Sequence, residues 1–338
     1  MDDIIDIALA ADEGYKDGLL VTAWGIAYSC APNARLRFNV LDGGLSDVAW
    51  DVFRQKILNV SPKTIIRRFS VDQSLFSNFP AWNFGSRLTY ARFLLPILLK
   101  DSEYVIYCDT DFLWLEDIAK LWALRRSDVV CQSVVDGTPE TVQREKAWFV
   151  SRELPFDKDR YFCAGLLFLN LELCRTYDVM GACLDFLWRN PDVKFADQSA
   201  LNVILSTMEF GNRVSGVALL QSKWQRFSYS ICAADVASGC VIHYAGDNPW
   251  HRKYWYESLS DAVMIWFDFY GRIFGIGRWR AVMSFYSVSK MLYLRMVFLA
   301  LTMPVIETIC YWYLERIRHA VIIDRLKSKN QRIRFFWK

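Results

Sequence analysis

Apolar and polar positions switch between two periods along the first part of the chain, and the switches mark a strand and helix repeat. Ile4 to Ala10 is a continuous apolar run broken only by Asp6, as in a strand buried on both faces. The polar corner Asp12-Glu13-Gly14 follows, and Tyr15 to Cys30 carries helical periodicity. Arg35 to Leu41 alternates as a strand, Ser46 to Leu58 opens on a serine suited to an N-cap and runs helical, and Lys63 to Phe69 reads as a strand again. Further on, the pattern predicts a buried helix over Arg87 to Lys100, a short strand over Glu103 to Cys108 and a central strand over Phe162 to Leu171. Helices over Tyr177 to Arg189 and Ala196 to Ser206 and a last short strand over Cys240 to His243 complete it. A βαβαβ opening of this kind implies an α/β sandwich with a largely parallel sheet, whose ligands lie at the carboxyl ends of the strands. No GxGxxG or GxxxxGK[ST] run is present, so the pattern lacks a dinucleotide or P-loop fingerprint.

After residue 260 the character changes: aromatic and aliphatic residues dominate, then a basic tail, which predicts a domain over 1–260 and a helical C-terminal region over 261–338. From Glu315 to Lys338 there are eight Lys/Arg against two acids, a charge of +6 within a chain whose formal total is +3, so the residues before it sum to −3. The basicity is a tail and not a nucleic-acid face on the main domain. Met296 to Leu314 spans 19 residues, near the lower limit for a membrane span, but it contains Pro304 and Glu307 and is bracketed by Arg295 and Glu315. Aromatic flanks and basic residues beyond them suit a segment lying on an anionic leaflet. The nine cysteines show no CxxC spacing and the start MDDIIDIALAAD has no basic n-region. The expectation is reduced thiols in the cytoplasm, on the inner face of the membrane. Cys30, Cys108, Cys131, Cys163 and Cys183 sit in apolar stretches and read as small buried hydrophobes.

The strand ending at Cys108 runs directly into Asp109-Thr110-Asp111, which places two carboxylates where a ligand should lie. Two such charges repel unless they share a cation, and a hard divalent ion bridging them to a diphosphate resolves the conflict. The other reading of such a triplet is a helix cap. A second cluster, His243-Tyr244-Ala245-Gly246-Asp247-Asn248-Pro249-Trp250, also follows a strand, with a glycine that lets backbone approach a phosphate. Asp109, Asp111 and His243 together form an O/O/N set suited to Mn²⁺, although a lone histidine is more often structural.

These motifs resemble a known family. Ala10-Ala11-Asp12, Thr89-Tyr90-Ala91-Arg92, Asp109-Thr110-Asp111, Cys163-Ala164-Gly165, Asp197-Gln198 and His243-Tyr244-Ala245-Gly246 stand in the order of glycosyltransferase family 8. The similarity covers residues 4 to 255 and is nearest to the bacterial lipopolysaccharide galactosyl- and glucosyltransferases, with glycogenin more distant. The resemblance implies a GT-A fold, a Rossmann-like nucleotide-sugar-binding mixed sheet flanked by helices, here with a helical C-terminal extension. It implies that Ala10, Asp12 and Tyr15 surround the uridine, that Arg92 reaches toward donor phosphate or sugar, and that Asp109, Asp111 and His243 hold Mn²⁺ or Mg²⁺. Thr110, Cys163, Ala164 and Gly246 would line the donor site, Asp197 would bind donor-sugar hydroxyls, and Gln198 would sit near the anomeric carbon. The implied activity is retaining transfer of galactose or glucose from UDP-galactose or UDP-glucose to a glycan or glycolipid acceptor such as a lipopolysaccharide core. An amide at Gln198, where double displacement would want a carboxylate, implies front-face attack. Without the ordered set, Asp12 and Asp197 would read as helix caps or first-turn acids and Arg92 as a surface ion-pair partner.

Three departures stand out. Cys163 replaces the family's usual asparagine, Gly14 falls where an asparagine often contacts the nucleotide, and the family's HxxGxxKPW is one residue shorter here and lacks its lysine. His251, Arg252 or Lys253 could supply the missing cation. The rival readings are a catalytically degenerate nucleotide-sugar-binding protein of the same fold and a metal-dependent nucleotide-sugar hydrolase or pyrophosphorylase.

Overall fold

The apolar run at the start of the chain forms β1 (Ile4–Ala11), whose register neighbour β2 (Arg35–Asp42) pairs in turn with β3 (Ile65–Ser70), all parallel. These elements belong to a computed structural model that describes residues 4–81, 86–246, 248–251 and 260–285. On its other side β1 pairs in parallel with β4 (Tyr104–Cys108). The acid inside β1 is neutralised across the sheet: Asp6 stands opposite Arg37, whose Nε and Nη2 lie 2.5 and 2.6 Å from its two oxygens, and Asn39 Nδ2 adds a third bond at 2.9 Å. A planar guanidinium fork on a carboxylate is the bidentate geometry suited to a buried pair.

Beyond β4 come β5 (Phe112–Trp114), β6 (Val129–Val135), β7 (Phe162–Asn170) and β8 (Ser215–Leu219), and the main sheet has the order β3-β2-β1-β4-β7-β6-β8. Within it β7 runs antiparallel to β4 and β6, so the sheet is mixed, as the family resemblance implies. Every residue of β7 is buried. A second sheet of order β5-β10-β9 adds β9 (Arg226–Phe227) and β10 (Val241–His243).

The helices are α1 (Lys16–Ser29), α2 (Asp47–Val60), the single turn α3 (Leu95–Leu98), α4 (Ile118–Trp122) and α5 (Pro139–Ser151). They continue with α6 (Leu171–Thr176), α7 (Val179–Arg189), α8 (Ala196–Thr207), α9 (Ala233–Ser238), α10 (Asp261–Phe274) and α11 (Arg278–Ser284). Ser46 caps α2 as expected, its side chain accepting from Ala49 N at 3.2 Å. The helix predicted over Arg87 to Lys100 is instead a 3-10 segment, Leu88–Leu94, passing into α3. Pro96 explains the difference: it has no N–H to give the Arg92 carbonyl, and its ring would clash there in a continuous α-helix. The helix predicted from Tyr177 begins at Val179, because Asp178 takes a left-handed backbone (φ 48°) between α6 and α7.

α1 is buried from Gly18 to Ala27, since it is enclosed by the main sheet, β5, α2 and α10. At Gly18 a Cβ would lie 2.5 Å from the Thr110 carbonyl oxygen and 2.5 Å from the Trp250 ring, so only glycine admits this approach. One turn on, the Thr22 hydroxyl lies 2.6 Å from the Phe112 carbonyl and 3.0 Å from that of Thr110. α1 therefore holds the backbone on either side of Asp111. Residues 1–282 form one compact unit, which includes α10, although the change of composition at residue 260 precedes that helix. Met296 to Leu314 and the basic tail lie outside the described residues; among those described, no helix is long and apolar enough to cross a membrane.

Candidate active site

The carboxyl ends of β1, β4 and β6 and the start of the antiparallel β7 open on a cavity of about 360 Å³. Its lining brings together every site residue expected from the sequence. Ala10, Asp12 and Tyr15 come from the end of β1 and the turn after it, and Arg92 comes from the 3-10 segment. Asp109, Thr110 and Asp111 come from the β4–β5 link, Cys163 and Ala164 from β7, Asp197 and Gln198 from the first turn of α8, and His243 and Gly246 from the end of β10 and beyond.

Asp109, Asp111 and His243 each present a ligand atom, and the three atoms lie within 4.8 Å of one another. His243 Nε2 is 3.3 Å from Asp111 Oδ1, a long ion pair, and neither that oxygen nor His243 Nδ1 makes a hydrogen bond of good geometry among the described residues. Polar atoms left without good partners are rare in folded proteins, and an O/O/N set of this kind fits a divalent cation. The imidazole is fixed by stacking between Phe112 (4.1 Å between centroids, 14° between planes) and Phe227 (5.3 Å, 27°). β7 can pass this close only because residue 165 is glycine: a Cβ there would be 2.9 Å from His243 Cε1 and 3.2 Å from Asp109 Oδ2. Burial raises the Asp109 carboxyl to about 6, with Arg92 opposing the rise and Asp111 adding to it. Burial acts against charge on His243, but Asp111 beside it prevails and holds the imidazole well above its ordinary value.

Arg92 is 3% exposed and joins the two ends of the site. Its Nη2 is 2.8 Å from Asp109 Oδ1 and its Nη1 3.0 Å from Asp197 Oδ2, while the remaining donors reach Ala164 O, Thr89 O (2.9 Å) and Thr89 Oγ1 (3.3 Å). The guanidinium lies over the Tyr107 ring at 4.3 Å, and the Tyr107 hydroxyl donates to Asp109 Oδ1 at 2.7 Å. Burial disfavours charge on Arg92, yet Asp109 and Asp197 outweigh it and raise its pKa. Thr89 Oγ1 donates to Asp197 Oδ1 at 2.6 Å, so both oxygens of that carboxylate face a partner.

Gln198 is held on three sides. Ala164 N donates to its Oε1 at 2.9 Å, and its Nε2 donates to Asp136 Oδ2 (3.0 Å) and to the Tyr161 hydroxyl (3.2 Å). Ala196, which precedes this pair, has φ 46°, a left-handed conformation that is unfavourable for a residue with a Cβ and is found where surrounding structure enforces it. Sequence reasoning missed Asp136, which ends β6 as Asp109 ends β4; the run VVCQSVV followed by Asp-Gly carried the same signal. It also missed Thr138, Thr141, Phe227 and Tyr229, which form another wall of the cavity. Tyr229 is 68% exposed, stacks on Phe227 (5.4 Å, 4°), and has its hydroxyl 3.0 Å from Thr138 Oγ1.

The three departures have structural counterparts. Gly14 N donates to Asp12 Oδ1 at 3.0 Å and Gly14 O lies 3.1 Å from His251 Nε2, so this position works through its backbone. Cys163 is buried beside His243, and burial pushes its thiol pKa up. His251 is held against Gly14 and the Tyr15 ring and does not line the cavity; Arg252 and Lys253 lie outside the described residues.

Comparison with known proteins agrees with this geometry. General stress protein A of Bacillus subtilis (strain 168) is 27% identical over 272 residues, covering 75% of this chain and 89% of that protein. Among solved structures, an active-site glutamine-to-glutamate mutant of LgtC superposes with a TM-score of 0.65 at 24% identity, over 82% of this chain and all of that one. The galactosyltransferase LgtC solved with donor and acceptor sugar analogues gives a TM-score of 0.64 at 23% identity, over 82% and 100% of the two chains. At these identities the structures show a shared GT-A fold. The model of the family described as glycosyl transferase family 8 matches residues 6–254, and the chain belongs to that family.

Proposed function

We propose that this glycosyltransferase transfers galactose or glucose from a UDP-sugar to a glycan acceptor with retention of configuration, using Mn²⁺ or Mg²⁺. The observation that carries this reading is the Asp109, Asp111 and His243 cluster, its imidazole buried and its two carboxylates partly open, in one cavity with Asp12, Tyr15, Asp197 and Gln198. These three residues would hold the cation, which when bound supplies Lewis-acid stabilisation of the leaving diphosphate in place of a proton donor. Ala10, Asp12 and Tyr15 then flank the uridine, and Arg92 orients Asp109 toward the cation and Asp197 toward the sugar. Asp197 is engaged by Thr89 and Arg92, and Gln198 is an amide. Neither is disposed to form a glycosyl ester, which supports front-face attack by the acceptor hydroxyl with the departing phosphate taking its proton. A glycosyl adduct trapped on Asp197 would sink this mechanism.

The test is incubation with Mn²⁺ and a panel of UDP-sugars and glycan acceptors, following UDP release and product mass together. Metal-dependent UDP release with a glycosylated acceptor is the expected result. Free sugar would mean a hydrolase. UDP-sugar binding without any product would mean the degenerate binding protein that the missing lysine suggests.

The acceptor we propose is carried on a membrane lipid, such as a lipopolysaccharide core or related surface glycan, with the protein peripheral on the cytoplasmic face. The aromatic and basic stretch toward the C-terminus supports this, since such residues favour an anionic leaflet. Full-length protein should co-sediment with vesicles containing anionic lipid and dissociate as salt rises; indifference to anionic lipid would remove the membrane from the proposal.

A further inference from the structure

Behind the cavity wall lies a buried acid that the mechanism above does not use. Glu145, on the inner face of α5, is 0% exposed and does not line the cavity. Its Oε2 accepts from the Tyr161 hydroxyl at 3.0 Å and its Oε1 from Ser199 Oγ at 3.1 Å. Among the described residues this acid makes no ion pair, burial of such a group is costly, and a network of this kind usually orients something. The hydroxyl that donates to Glu145 is the one that accepts from Gln198 Nε2.

A phenol has one proton. While it points at Glu145, the Tyr161 oxygen offers its lone pairs to Gln198, whose amide is then turned with Nε2 toward Asp136 and Oε1 toward Ala164 N. With the acid gone, the Tyr161 proton is free to rotate, and its repulsion with the Nε2 hydrogens would loosen the amide. Ser199 ties the same acid to α8 one residue beyond Gln198, and its Oγ accepts from Phe195 N at 3.0 Å, so Glu145 also braces the helical turn that carries Asp197 and Gln198. Resting on the reading of Gln198 as the group beside the anomeric carbon, we infer that Glu145 is a positioning residue that acts through Tyr161 to set the orientation of the Gln198 amide.

The test compares Tyr161→Phe, Glu145→Leu, which removes the acceptor of the Tyr161 proton at similar volume, and the double variant of the full chain. Each should lower the kcat of sugar transfer, by on the order of ten- to a hundredfold as small misplacements of reacting groups do, while the dissociation constant for UDP with Mn²⁺ stays near that of the wild type. The double variant should be slower than Tyr161→Phe by clearly less than the factor that Glu145→Leu costs alone, since Glu145 acts on Gln198 through Tyr161 and only otherwise through Ser199. The side-chain amide protons of Gln198, followed by NMR, should exchange faster with solvent in both single variants whether or not transfer is detected. Unchanged exchange would overturn the inference. So would multiplying effects in the double variant, or lost UDP affinity at unchanged kcat, which would mark a merely structural role. Loss of transfer in the wild type itself would instead strike the proposed function, and the exchange measurement would still decide the role of Glu145.

Discussion

Asp111→Asn should abolish metal-dependent turnover while leaving the fold intact, with a loss of metal affinity above the roughly hundredfold that outer-shell partners of a metal can cost. Asp111 is the better probe of the two acids because its side chain pairs with His243, another member of the cluster, whereas Asp109 also neutralises Arg92 and accepts from Tyr107. The amide keeps the shape but gives up the charge that a hard cation requires. In the wild type, binding must release protons. Asp109 is raised to about 6 and His243 well above its usual value, so at lower pH both hold protons that a cation has to displace. Apparent affinity for Mn²⁺ should therefore climb as pH rises through 6 and continue to climb as His243 deprotonates. Calorimetry in two buffers of different ionisation enthalpy would count the protons released. Binding that is independent of pH and unaffected in Asp111→Asn would place the cation elsewhere.

How much of this site could be read from sequence depends on how local each signal is. Asp109 and Asp111 were legible because an aliphatic strand runs straight into them, and His243 because the chain has three histidines and this one ends a strand. What joins them was not legible. The stacking of Phe112, His243 and Phe227 draws on segments more than a hundred residues apart, and no period or spacing links them. Arg92 sits in a motif, yet nothing in the motif tells that its guanidinium is buried between two carboxylates; that follows from Pro96 tightening the segment into a 3-10 turn and from β7 presenting the Ala164 carbonyl. Glu145 lies on a helix whose sequence, PETVQREKAWFVS, is largely polar, and no local pattern in it marks this acid as buried. The strand order and the reversal of β7 likewise depend on long-range pairing, although the opening βαβαβ was plain.

The same burial makes Arg92→Ala the substitution with the greatest expected effect on stability. Removing one partner of a buried ion pair typically costs about 3–5 kcal/mol, mostly because the other charge is left without compensation, and here two carboxylates, Asp109 and Asp197, would be stranded. Burial already raises both, and Arg92 is what opposes the rise, so its loss should push their pKa values higher still. For acids whose folded-state pKa lies above the unfolded value, the protonated form favours folding at low pH, and that benefit disappears as pH rises through the folded pKa. The stability deficit of the variant should thus be small near pH 5 and large at pH 8. Urea unfolding of both proteins at the two pH values would measure it. Arg92→Lys should restore charge without the fork that spans both acids, and recover part of the loss at pH 8. A deficit that is equal at both pH values would mean that packing over Tyr107, and not the two acids, is what Arg92 supplies.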